Sequence, residues 1–441
     1  MNVTNIRKKE NTMSKGYNIR PVCGGINMLE VYETRFRTAC ICVSMILPLE
    51  RGSAAARALV PYVLKSSCSA YANDLERRQA MALMYGAELG VSVSRLGDLQ
   101  QICLSVTALD DRCTIDGEKL SERCAELLCD VLLRPHTENG IFRESDIERE
   151  KQIMREKIEA ERNDKIGYTL EKCIQASGEN EPFGVPVKGT AEEVAALTAA
   201  QTWAAYRELL ETARIDIVAV GALEFGGIAE CFAAKLSALE RRPAELPENI
   251  IIENGSGRSV EERLPVAQTN MALSLRMSAD VTESAGKLMS VCLGGSPSSL
   301  LFKRVREELS LCYFCSSAFS ATKRLLYIIS GLADEKLDES LSEIRAQIKL
   351  IADGGLTTED IDAAKLTLCD SLHQAYDSMG SMVGWYRTRL LDDVIYTPEQ
   401  QIELYQAVTA DEIAAAARTL SEDVVYAVRP SGDAAETGED E

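Results

Sequence analysis

Histidine is nearly absent from this chain: its 441 residues hold only His136 and His373, one in each half. Two imidazoles share a metal on a helix only when they lie one turn apart, so a two-histidine zinc helix is excluded. Each lone histidine reads as an ordinary residue, His136 in a loop after a helix and His373 on a helix. Long apolar runs are missing too. No stretch reaches the roughly 18–20 residues a membrane helix needs. The opening MNVTNIRKKENTMSKGYNIR is polar and is expected not to be a secretory signal. There is no GxSxG, no phosphate-cradling glycine loop and no Cys/His pair with a plausible second member. Positive charge is in deficit, with 48 basic residues against 68 acidic and a net charge of −20. Such a surface repels phosphates, so neither nucleic acid nor a membrane is expected as a partner.

Cysteine, by contrast, is plentiful. Fourteen cysteines without a disulfide framework point to reduced thiols and a cytoplasmic protein. Cys312 and Cys315 form a CxxC, yet no second CxxC exists to complete a zinc ribbon. They lie in LCYFCSSAF, which reads as a strand with the two thiols on opposite faces. Core cysteines are expected there, and likewise at Cys40 and Cys42. Hydrophobic residues at 46% and charged residues at 26% describe a globular chain long enough for two or three domains.

Residues 35–49, RFRTACICVSMILPL, read as a strand, followed by a helix SAAARALVPYVLKSS broken or kinked by Pro61. Residues 88–109 read as a hairpin turning near Gly97-Asp98. Helices are expected over 117–134 and 144–177, then a loop over 179–189. Thr198 with Gln201 forms a capping box that opens a helix leading to the strand 213–223. Thr409 with Glu412 repeats the device before the strand 422–432. A strand–helix pair at 270–295 echoes residues 35–65. These echoes predict a duplicated α+β domain, each copy a mostly antiparallel sheet packed with helices. The boundaries read as a flexible segment 1–20, a first domain 21–234, a link 235–262, a second domain 263–432 and an acidic tail 433–441.

Several strings together resemble the insulinase-like (pitrilysin, M16) metallopeptidase family, over most of residues 20–435. They are LPLERGSAAARALVPYVLKSS, REKQIMREKIEAERND and EPFGVPVKGTAEEVAALT in the first half. The second half contributes LGGSPSSLLFKRVREELSLCYFCSSAF, the most specific of the four. The resemblance implies the M16 clamshell-half fold in a half-size bacterial-type member. It also implies where a zinc site would lie. The family's HxxEH falls on Arg57-Ala58-Leu59-Val60-Pro61, so Arg57 and Pro61 fill the ligand positions and Val60 the general-base position. None of these side chains can take up those roles. The third ligand falls on Glu156, which also reads as one of many solvated charges on its helix.

In the second half, Arg306 and Tyr313 match, at the same seven-residue spacing, the pair with which active members hold the substrate backbone. The competing reading has Arg306 paired with Glu307 or Glu308 and Tyr313 packed in the sheet. The expected function is therefore a non-catalytic, substrate-holding subunit of a two-chain zinc peptidase, with no cofactor of its own. Its expected partners are a peptide substrate and an HxxEH-bearing M16 chain that carries the zinc, a heterodimer, with a homodimer left open. The alternative is a catalytically inert peptide-binding or structural scaffold.

Overall fold

The computed structural model describes residues 16–431, so the acidic tail 433–441 lies outside the described residues. In the first half, β1 (Asn18–Cys23), β2 (Ile26–Tyr32) and β3 (Thr38–Pro48) lead into α1 (Ala54–Ser66) and α2 (Asp74–Ala82). The hairpin β4 (Glu88–Leu96) and β5 (Leu99–Leu109) follows, then α3 (Leu120–Leu133) and a short ribbon, β6 (Thr137–Glu138) with β7 (Ile141–Phe142). Helices α4 (Glu144–Glu161), α5 (Lys165–Ser177), α6 (Ala191–Ala196) and α7 (Ala199–Thr212) precede β8 (Arg214–Gly221) and α8 (Phe225–Leu236).

The second half opens with β9 (Arg258–Leu264), β10 (Thr269–Arg276) and α9 (Glu283–Gly294). A π-helical segment, Leu301–Glu308, precedes the hairpin β11 (Phe314–Ser320) and β12 (Leu325–Leu332). Helices α10 (Leu337–Ala352), α11 (Thr358–His373), α12 (Met379–Arg387), α13 (Pro398–Ala407) and α14 (Ala410–Arg418) then lead to β13 (Ser421–Pro430).

Both halves use one strand order. The first sheet runs β1-β2-β8-β3-β5-β4 and the second β11-β12-β10-β13-β9. Apart from the extra β1, β2-β8-β3-β5-β4 maps onto β9-β13-β10-β12-β11 strand for strand. In each sheet one pair is parallel, β2 with β8 and β9 with β13; the rest are antiparallel. The central strands β3 and β10 are buried along nearly their whole length, which is why they read as continuous apolar runs. The capping boxes at Thr198/Gln201 and Thr409/Glu412 both form and open the helices before β8 and β13.

Local differences from the sequence reading have identifiable causes. The helix expected over 144–177 is two, because Asp164 accepts a hydrogen bond from Gly167 N and starts a new helix. Helix α1 runs unbroken through Pro61, held by the buried Leu59, Val60, Val63 and Leu64. Strand β1 begins inside the stretch 1–20 read as flexible, and β9 begins inside the link read as 235–262. Strand β11 starts only at Phe314, so Cys312 lies ahead of it. Cys312 and Cys315 therefore do not oppose each other: both are buried in the same core of the second half.

The two halves also exchange helices. One face of each sheet is covered by helices of its own half, forming the two large cores. The other face is covered by a helix from the opposite half. Helix α12 lays Met379, Met382, Val383 and Tyr386 on Leu29, Val31, Cys40, Cys42, Val218 and Val220 of the first sheet. Helix α5 lays Cys173 on Ala272, Val424, Tyr426 and Val428 of the second sheet. Neither half can bury both faces of its sheet without the other.

The equivalent hairpin turns meet at the junction. Lys323, between β11 and β12, donates to both carboxylate oxygens of Asp98 in the β4–β5 turn, at 3.0 and 2.8 Å. It also donates to Glu181 at 2.8 Å. Glu181 accepts in turn from Arg276 at 2.9 Å, and Arg276 reaches Asp423 at 2.8 Å. All five side chains are buried. Gly97, beside Asp98, has φ +60°, and a Cβ there would sit 1.9 Å from Asn249 Oδ1. That oxygen accepts from Asp98 N, so it cannot withdraw freely. Gly97→Ala is therefore expected to cost about 1–3 kcal/mol in urea-unfolding free energy. An unchanged midpoint would mean that the turn relaxes.

Candidate functional site

On α1, where the resemblance would lay the zinc helix, Arg57 is only 3% exposed. Its guanidinium grips Glu208 of α7 through Nε at 2.9 Å and Nη2 at 2.6 Å. Nη1 donates to the Pro48 carbonyl at 2.8 Å, and Nη2 also reaches Glu50 at 3.1 Å. Every direction of the fork is used, so the side chain ties α1 to α7 and to the end of β3. Val60 and Pro61 are buried and apolar. A zinc ion does not fit this donor set: its place is held by a cation already satisfied by carboxylates.

Glu156, where the resemblance would lay the third ligand, lies on α4. This helix buries Ile147, Glu150, Lys151 and Met154 and leaves Glu156 exposed, hydrogen-bonded at 2.9 Å to Gln152 of its own helix. The carboxylate that α4 turns towards α1 is Glu150. Burial raises its pKa, opposed by Arg149, and its charge is felt by Tyr62 and Lys65 of α1. Lys157 lies over the Tyr62 ring at 4.8 Å. Among the described residues, Glu156 makes no side-chain hydrogen bond or ion pair to α1. Sequence reasoning missed Glu208 because nothing near Arg57 in the chain announces a partner in α7. The helical period did hold a signal for Glu150, which shares a face with Ile147 and Met154.

The second-half pair is placed differently. Leu301 and Val305 are buried and anchor the π-helical segment, leaving Arg306 on its outer side. Leu309 N and Leu311 N bond back to Arg304 O and Val305 O, at 3.1 and 2.9 Å. Ser310, with φ +48°, then turns the chain toward the sheet. Tyr313 N donates to Gly331 O at 2.8 Å, fixing the backbone while the phenol stays 62% exposed. Glu308, one of the acids that could neutralise Arg306, pairs instead with Arg304 at 2.7 Å. Among the described residues no carboxylate lies within 4.0 Å of the Arg306 guanidinium, which rests over the Phe302 ring at 4.6 Å. Arg306 and Tyr313 are therefore both presented to solvent with their donors uncommitted. A π-helical turn is a rare local geometry found often at functional sites.

Cys312 and Cys315 flank Tyr313. Their shared proton holds the Cys312 thiol below the usual thiol range and pushes Cys315 well above it. His136 is half-buried in the loop before β6, and His373 is the exposed last residue of α11. Among the described residues no three His, Cys, Asp or Glu side chains converge as a metal site, and no helix is long and apolar enough to cross a membrane.

Comparisons with known proteins find relatives of the same overall kind. The family model described as Peptidase M16 inactive domain matches residues 196–368. A probable inactive metalloprotease of Bacillus subtilis, YmfF, is 23% identical over 91% of this chain and 95% of its own length. An uncharacterised zinc protease of Mycobacterium tuberculosis is 26% identical over 67% of this chain and 68% of its own. Among solved structures, a conserved protein of Enterococcus faecalis superposes with a TM-score of 0.86 at 21% identity, over 96% of this chain and all of that one. A peptidase M16 inactive domain from Pseudomonas fluorescens superposes at 0.74 with 19% identity, over 94% of this chain and 98% of that one. Residues 196–368 thus match the Peptidase M16 inactive domain, the whole chain is similar to M16-type proteins in sequence and fold, and it contains no HxxEH motif.

Proposed function

We propose that this chain is the substrate-holding, non-catalytic subunit of a two-chain M16-type peptidase, lending Arg306 and Tyr313 to a partner chain that carries HxxEH. The observation that carries the reading is an asymmetry. Where a zinc ligand would be needed, Arg57 is locked into an ion pair; where a substrate carbonyl would be held, a guanidinium and a phenol stand free. A guanidinium and a phenol brought to a peptide carbonyl would favour the charge that develops there during hydrolysis. The zinc and its water would belong to the partner, together with the general base.

The test is to purify this chain from its own cells, identify an HxxEH chain that comes down with it in equal amount, and assay Arg306→Ala in the complex reconstituted from the two. The absence of such a chain would itself overturn the reading. Activity is expected to fall by about 10²–10³, the usual cost of losing one donor to developing charge. Size-exclusion chromatography should show the assembly unchanged. Unaltered peptidase activity would sink the proposal and favour an inert peptide-binding scaffold.

A further inference from the structure

Behind the second sheet, between α9, α11 and α12, lies a cavity of about 240 Å³. Glu283 and Lys287 of α9 line it, with Phe319 of β11, Leu372 of α11, Trp385 of α12 and Arg389 just beyond that helix. Trp385 packs against both the second core and the layer beneath α12, so the cavity sits where the exchanged helix meets its own half. The Arg389 guanidinium stacks on the Trp385 ring at 3.3 Å, and its Nη1 donates to the Trp385 carbonyl at 3.2 Å. The indole Nε1 donates to the Tyr396 carbonyl at 3.0 Å. Both side chains are thereby fixed in place before any ligand arrives.

The charges are held but not paired. Among the described residues, Lys287, Arg389 and Glu283 form no ion pair within 4.0 Å, with each other or with anything else. Burial pushes both the Lys287 ammonium and the Arg389 guanidinium down from their ordinary values; Glu283 partly offsets this at both, and Asp392 and Tyr405 do so at Arg389. Two partly buried cations without a direct counter-ion, with the exposed Glu283 carboxylate at the rim and aromatic and aliphatic walls between, are the pattern of a ligand site. Two cations and one carboxylate left apart call for a ligand bearing both signs of charge. The apolar walls call for a hydrophobic body. The volume, below the range for drug-sized ligands, calls for a small one.

We propose that this cavity binds a free α-amino acid with an apolar side chain. Its carboxylate would lie between Lys287 and Arg389, its ammonium at Glu283, and its side chain against Phe319, Leu372 and Trp385. The inference does not rest on the proposed function, since none of these residues belongs to the Arg306 and Tyr313 surface.

The test is isothermal titration of the full chain with L-leucine, L-leucinamide and 4-methylpentanoate, which isolate the carboxylate and the ammonium. L-Leucine is expected to bind saturably with a Kd of about 1 mM or tighter, a reasonable strength for so small a ligand. The amide and the acid should each bind about 10-fold more weakly or not at all, since each leaves a charged partner unmet. Lys287→Met and Glu283→Gln should each weaken L-leucine by a similar factor. No saturable heat with L-leucine up to about 20 mM, or equal binding of all three probes, would overturn the assignment. The probe series is read on the unaltered protein, so a variant that fails to fold leaves the test intact.

Discussion

Replacing Lys323 by methionine is expected to lower the unfolding free energy by about 3–5 kcal/mol, the range for removing one partner from a buried ion pair. The ammonium is 3% exposed and donates to both oxygens of Asp98, to Glu181 and to the Ile250 carbonyl. Methionine fills much of the same space but supplies no donor and no charge. Asp98 would keep its bonds from Phe183 N and Ile250 N, at 3.1 and 2.6 Å, yet face the buried carboxylate of Glu181 with no cation between them. With Lys323 the cluster sets two cations against Asp98, Glu181 and Asp423; without it Arg276 stands alone against three acids. Uncompensated charge in a water-poor site costs far more than the net value of the intact pair. Urea unfolding with a checked slope reads the change directly. A loss under about 1 kcal/mol would mean that water enters the junction and screens the acids.

That cluster could not have been read from the sequence, and the reason is physical. Lys323, Asp98, Glu181, Arg276 and Asp423 come from five separate stretches of chain, and each alone looks like an ordinary surface charge. Only the meeting of two equivalent hairpin turns gathers them. What was legible is local: the Gly97-Asp98 turn, the Thr198/Gln201 and Thr409/Glu412 boxes, and the apolar runs of β3 and β10. These rest on contacts within a few residues, where side-chain type dictates backbone geometry. The repetition of such local signals announced the duplicated fold. The exchange of α5 and α12 was not legible, because an apolar helical stripe shows that a face is buried but not against what. The same limit applies to the site. The absence of HxxEH is plain from the two distant histidines, whereas the grip of Glu208 on Arg57 and the burial of Glu150 depend on how α7 and α4 pack.

Tyr386→Ala is the other large effect, again expected at about 3–5 kcal/mol, from deleting a fully buried aromatic ring. Tyr386 is the largest of the side chains exposed below 2% and sits at the centre of the α12 contact with the first sheet. Its ring lies 6.0 Å from that of Tyr17, tilted by 58°. The hydroxyl makes no side-chain hydrogen bond among the described residues, so Tyr386→Phe should stay within about 1 kcal/mol of the parent. The pair of substitutions separates packing from polarity. Helix α12 is part of the second half in sequence but covers the first sheet, so the damage should not be confined to either. Two tryptophans make this measurable: Trp203 packs against the first core, and Trp385 adjoins the second core and the α12 layer. Single-tryptophan variants, with the other changed to phenylalanine, each report one region. In the parent the two transitions should coincide, and Tyr386→Ala should move both to lower urea together. A shift seen by Trp385 alone would show that α12 can peel from the first sheet while the rest holds. In that case the junction of Lys323 and Asp98, rather than the exchanged helix, is what couples the halves.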